Sequence, residues 1–205
     1  MLGRLILSRE DATALAATGH VAASDKARPE LCEVLIAWHT DGDKTTVKAT
    51  ATDSYCAAIR QVTGQVVEGT PPKGDVSVNA RDLIAAVKGT ETHQRIVCFD
   101  LDDDYLTVGG RLLPINSHRD FPPIQAKLES VVNADAAWQG KRYGALPAMS
   151  PVVFAKVAKA WAQPALPLRM MCLPDEKGEA WTHPIMWAPC STLHNFRAWQ
   201  MPVRI

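Results

Sequence analysis

The chain has 205 residues, 47% of them hydrophobic and 21% charged, values of an ordinary globular protein with room for one large domain or two small ones. Twenty-two Lys+Arg balance 22 Asp+Glu, so no global basic field announces nucleic acid, and any positive patch has to be local. No stretch approaches the roughly 20 apolar residues of a membrane span.

The first segment, "MLGRLILSRED", has too short an apolar run for a signal peptide and no small-residue cleavage site. The expectation is a soluble, cytoplasmic protein. Cys32, Cys56, Cys98, Cys172 and Cys190 are odd in number, far apart and mostly in apolar runs, the pattern of reduced, buried thiols.

In chain order, Leu5 to Leu7 predict a strand that runs into a helix capped by Ser8, with Asp11 at the helix's positive end. "ELCEVLIAWH", "TTVKATAT" and "SYCAAIRQVTG" then read as strands, the first two joined through the hairpin signal Asp41-Gly42. Val76 to Val78 predict another strand, followed by a helix capped by Asn79 and stopped by Gly89. After it come "QRIVCFDL", the turn "DDD", "YLTVGGRLLPI" and "FPPI", with Gly109-Gly110 read as a bulge. A third helix is capped by Ser150, with Pro151 at its first position and Pro164 beyond its end. "LPLRMMCL", "EAWTHPIMWAP" and "NFRAWQMPVRI" follow. The caps at 8, 79 and 150 are twice 71 residues apart, and each unit reads β-α-β-β-β, giving an α+β class. The expected division is one full domain at 1–128 (units 1–70 and 71–128), a linker at 129–143, and a third unit at 144–205.

On the second helix Leu83, Ile84 and Val87 share one face, and Arg81, Ala85 and Lys88 another. On the third, Val153, Val157 and Trp161 repeat every four residues, while Val152, Lys156, Lys159 and Gln163 lie opposite. A basic stripe of this kind is by itself most often a solvated surface. The tail Met201-Pro202-Val203-Arg204-Ile205 is apolar, with one cation and a stiffening proline, and suits a last strand or the wall of a groove.

Several stretches carry a family likeness: "KARPELCEVLIAWHTDG", "KATATDSYCAAI", "VSVNARDLIAAVKG", "LLPINSHRDFPPI" and the C-terminal "MPVRI". Together they resemble the bacterial sliding clamp, the β subunit of the replicative DNA polymerase. The resemblance implies a DNA-clamp fold, a ring of repeated β-α-β-β-β units with helices lining the hole and antiparallel sheets forming the outer wall. It implies that Arg81, Lys88, Lys156 and Lys159 face duplex DNA and meet phosphates without reading sequence. It also implies a hydrophobic groove that takes short peptides of a polymerase and other replication proteins. That groove would be built from Tyr55, Ala57 and Leu128 with Trp199, Met201, Pro202, Val203 and Arg204. Methionine repacks easily around varied peptides.

The family chain has six units and this one three, so a ring of about twelve takes four chains, a homotetramer with two-fold contacts. The runner-up is an open adaptor or decoy that binds clamp partners or a host clamp. A clamp loader is a further expected partner, and the shortened architecture fits a phage protein. A clamp needs no catalytic residue, metal or cofactor. The competing class is a metal-dependent nuclease using Asp100, Asp102, Asp103 and Asp104, although the cluster reads first as a charged hairpin turn. His183, Cys190 and His194 lack the spacing of a metal site.

Overall fold

The structure is a computed structural model that describes residues 2–25, 27–41, 44–69, 74–91, 93–116, 121–122, 124, 150–163, 165–172, 185–190 and 195–201. The sheet and helix elements, in order, are β1 (Gly3–Ser8), α1 (Arg9–Ala17), β2 (Glu33–Asp41), β3 (Lys44–Thr52), β4 (Cys56–Gly69), β5 (Gly74–Asn79), α2 (Ala80–Gly89), β6 (Ile96–Leu101), β7 (Tyr105–Val108), β8 (Arg111–Pro114), α3 (Pro151–Trp161), β9 (Leu168–Cys172), β10 (Ile185–Pro189) and β11 (Asn195–Gln200). Two short 3-10 turns, Thr18–Val21 and Pro29–Cys32, link α1 to β2.

The three helices start where their caps predict. The Ser8 hydroxyl accepts from the Asp11 N–H, and the Asn79 side chain accepts from the N–H groups of Arg81 and Asp82. Ser150 stands at the head of α3 but accepts no such bond from its side chain. One prediction needs correcting. "YLTVGGRLLPI" is a hairpin, β7 and β8, because Gly109 and Gly110 both take positive φ (56° and 85°) and turn the chain in two residues. "FPPI" is therefore not needed as the third strand of the second unit.

The strand order is β5-β2-β3-β4-β1-β6-β7-β8, with β11, β10 and β9 continuing from β4. The first two units exchange their first strands: β1 pairs with β6, and β5 pairs with β2. β4 is long enough to serve three neighbours. Residues 57–64 pair with β3, its first half pairs with β11, and beyond Gly64 it pairs with β1. A Cβ on Gly64 would lie 2.7 Å from side-chain carbons of both Leu5 and Leu7, so glycine permits the close crossing of β1.

The helices lie on one side of the sheet, and α1 packs against both α2 and α3. Leu7, Leu15, Val34, Ile36, Leu83, Val97, Leu106, Val157 and Phe196 belong to one continuous core beneath them. The predicted linker at 129–143 lies outside the described residues.

Candidate DNA-facing surface and peptide groove

The helical layer gathers the basic residues. Arg81, Lys88 and Lys159 are exposed. Lys88 and Lys159 occupy the same place in the repeat, nine residues beyond Asn79 and Ser150 respectively. Their charges converge on His20, in the turn after α1. Burial first, then the positive charges of Lys88 and Lys159, hold the His20 imidazole below its ordinary pKa. Arg81, at the other end of α2, lines a pocket of about 370 Å³ with Cys32, Glu33, Asn79 and Asn116.

Lys156 sits differently. Its ammonium pairs with the Asp53 carboxylate, and its side chain is 29% exposed against 9% for Asp53. Helix position 156 lies at the border of the stripe, where α3 overlooks the turn after β3, so a carboxylate captures the cation. Arg9 is likewise committed: its guanidinium donates to the carbonyls of Thr90 and Glu91 just past α2, where a cation complements the helix's negative end.

Asp53 organises the second site. Burial alone would raise its pKa, but the Lys156 ammonium and the N–H groups of Cys56 and Tyr55 outweigh it and hold the carboxyl below the ordinary value. The same N–H bonds, at 2.8 and 2.9 Å, fix the turn Asp53–Cys56, with Ser54 at φ 76°. Burial and the Asp53 charge push the Cys56 thiol far up, so it is an inert thiol. Tyr55, 69% exposed, projects from this turn. Its carbonyl accepts the Met201 N–H at 2.8 Å, which stitches the tail to the "ATDSYCAA" turn.

Beside that stitch lies a second apolar cluster, separate from the main core. Ala57, Met186, Ala188 and Trp199 are buried together, and Ile59 and Ile124 pack on them. Trp199 stands opposite Ala57 on β4 and Met186 on β10. Met201 is 46% exposed at the rim. The indole N–H of Trp199 and the side-chain amide of Gln200 are buried with no hydrogen-bond partner among the described residues. Four residues of the expected groove (Tyr55, Ala57, Trp199 and Met201) thus come together, while Leu128, Pro202, Val203 and Arg204 lie outside the described residues. Sequence reasoning missed Met186, Ala188, Ile59 and Ile124. "IMWAP" is buried at all five positions, so it offers no alternation to say which side chains face outward.

The junction's inner face is held by Arg60. It is 2% exposed, donates to the Trp161 carbonyl at 2.8 Å, and lies over the rings of Trp161 and Phe196 at 4.9 and 4.7 Å. Burial lowers its pKa to about 10. Asp100 is ion-paired with Arg4 at 2.6 Å, and Asp102 to Asp104 form the turn between β6 and β7. Cys190 is exposed, and the two histidines weighed with it lie outside the described residues.

No protein-family model matches the sequence, and no curated protein does. Solved structures do. The DNA polymerase III β chain of Streptococcus pneumoniae TIGR4 superposes with a TM-score of 0.68 at 14% identity, over 99% of this chain and 65% of that one. The β subunit from Thermotoga maritima gives 0.68 at 12%, over 98% and 65%. The fold is that of the bacterial sliding clamp. The Bartonella birtlesii clamp, solved bound to griselimycin, gives 0.63 at 14%, over 99% and 66%. The chain spans about 65% of the length of the first of these clamps. Among the described residues no helix is long and apolar enough to cross a membrane.

Proposed function

We propose that this protein is a sliding clamp: a ring that encircles duplex DNA without reading its sequence and tethers a polymerase through the groove at Tyr55, Ala57, Trp199 and Met201. One observation carries the reading. Lys88 and Lys159 hold the same position in two repeats, nine residues past the caps Asn79 and Ser150, and both are exposed on the helical layer of a clamp fold. Mobile phosphate contacts from long lysines hold DNA and still let it slide, whereas base-edge contacts would stall it. The protein supplies no chemistry of its own in this reading, and the partners are duplex DNA, replication proteins bearing short apolar peptides, and other copies of the chain. A ring of about twelve units takes four copies of the 22.3-kDa chain, about 89 kDa.

The test is retention on closed circular duplex against the same duplex linearised. A clamp stays on the circle and runs off free ends. Lys88→Glu with Lys159→Glu should lose retention while the oligomer keeps its mass. Equal retention on circle and line, or retention indifferent to charge reversal, would overturn the reading.

A further inference from the structure

The turn that carries Tyr55 is held from outside at three consecutive residues. Asp53 takes the Lys156 ammonium of α3. Ser54 accepts from the Arg28 guanidinium at 3.1 Å, and the Tyr55 carbonyl accepts the Met201 N–H at 2.8 Å. The turn needs such holding. Ser54 stands at φ 76°, a conformation that a residue with a Cβ keeps only where its surroundings impose it. Of the three ties, only the one from Lys156 meets a full opposite charge.

The two Asp53 oxygens divide the work. Oδ1 accepts the N–H groups of Tyr55 and Cys56, and Oδ2 takes Lys156. Turn and helix therefore meet in one carboxyl group. Lys156 also differs from the lysines of the helical stripe. Lys88 and Lys159 are exposed and stand nine residues past their caps. Lys156 stands six past Ser150, where α1 and α2 carry Ala14 and Ala85. A lysine with no counterpart in the other two helices thus faces a partner with none, because "ATDSYCAA" occurs once in the chain. A phosphate could claim Lys156 only by leaving the Asp53 side chain, 9% exposed, without its counter-ion. That penalty exceeds what a solvent-screened phosphate contact returns.

We propose that Lys156 is a positioning residue of the peptide groove and no part of the DNA-facing stripe: through Asp53 it fixes the turn that sets Tyr55 and the Met201 rim. The groove's role rests on the clamp reading, whereas the hold on the turn can be measured without it.

The full chain labelled with 15N-tyrosine gives one backbone NMR signal for each of its three tyrosines, and Tyr55→Phe identifies that of Tyr55. Because the Tyr55 N–H donates to Asp53, its signal follows the protonation of that carboxyl. Among the described residues, the titratable groups at Asp53 are Lys156 and the Cys56 thiol, and the thiol stays neutral. In Lys156→Met, exchange of the Tyr55 amide should accelerate about tenfold or more, the weight of a charge-assisted hydrogen bond. The pH midpoint of its signal should rise, because the effect of burial then loses the lysine that opposes it. Lys156→Arg should keep both near wild type, and exchange at Tyr105, on β7, should respond to neither change. A Tyr55 signal unmoved by Lys156→Met, or moved equally by Lys156→Arg, overturns the proposal. So does retention on circular duplex that falls as far with Lys156→Met as with Lys88→Met. If the wild type is not retained on circles while Tyr55 responds as stated, the clamp reading falls and the hold of Lys156 on the turn stands.

Discussion

The two-unit domain and the third unit are built from the same β-α-β-β-β pattern, yet they are finished to different degrees. In the domain, Ser8 and Asn79 cap their helices through their side chains, and the inward positions of α1 and α2 are covered. In the third unit Ser150 makes no side-chain cap bond, Phe154 is half exposed, and the indole nitrogens of Trp187 and Trp199 are buried without partners among the described residues. Native interiors rarely leave buried donors unpaired. The lesson is that capping and the pairing of buried donors do not carry over from repeat to repeat with the β-α-β-β-β pattern itself. Within the chain, the third unit depends on its junction with β4.

Breaking that junction gives the largest expected effect. Trp161 is 3% exposed, stacks on Phe196 at 5.3 Å and carries Arg60 over its ring. Trp161→Ala should cost about 3–5 kcal/mol. The loss should be uneven: hydrogen exchange should accelerate in α3 and β9–β11 while β1–β3 and α2 stay protected. Uniform acceleration would mean that domain and third unit unfold as one body and that the contrast drawn above is only cosmetic.

Much of the architecture could be read before any coordinates. The 71-residue cap spacing located three helices, and the "ATDSYCAA" and tail stretches pointed to walls that do meet, through the Tyr55 carbonyl and Met201 N–H. The exchange of β1 and β5 was not legible, because strand pairing is a long-range choice that local pattern does not encode. Gly109-Gly110 misled because two glycines in an apolar run suit a bulge as well as a tight turn. The Lys156–Asp53 pair was not legible either, because helical periodicity places a side chain on a face but cannot show a carboxylate at its edge. Arg60, an arginine in "AAIRQV", gave no signal that its stem and head would be buried between two rings.

A middle-sized effect should come from the one link that joins the helical layer to the groove. Asp53 holds Lys156 on one side and the turn carrying Tyr55 on the other. Asp53→Asn keeps the shape, removes the charge and leaves the half-buried ammonium without its partner. A loss of about 1–3 kcal/mol is expected, with weaker binding of a polymerase-derived apolar peptide because the groove wall loosens. The folded Asp53 pKa is lowered, so its contribution is complete above the ordinary carboxylate value and lost as pH falls through the folded one. Acid titration should therefore erase the difference between wild type and Asp53→Asn. Undiminished peptide binding in the variant would detach the groove from the ion pair.

The smallest effect lies at His20, where the domain and the third unit meet electrostatically through Lys88 and Lys159. The folded imidazole has a pKa below 6.5, so between that lowered value and 6.5 the unfolded chain binds more protons than the folded one. Stability then rises with pH across this window and falls on acidification. The wild type should lose Tm faster than His20→Gln as pH drops from about 7.5 to about 5. Duplex DNA sharpens the comparison, because phosphates beside Lys88 and Lys159 offset the charges that depress His20. With DNA bound, the imidazole pKa should climb back toward its ordinary value, and the gap in acid sensitivity between wild type and His20→Gln should shrink. A gap that DNA leaves unchanged would place the duplex away from both lysines.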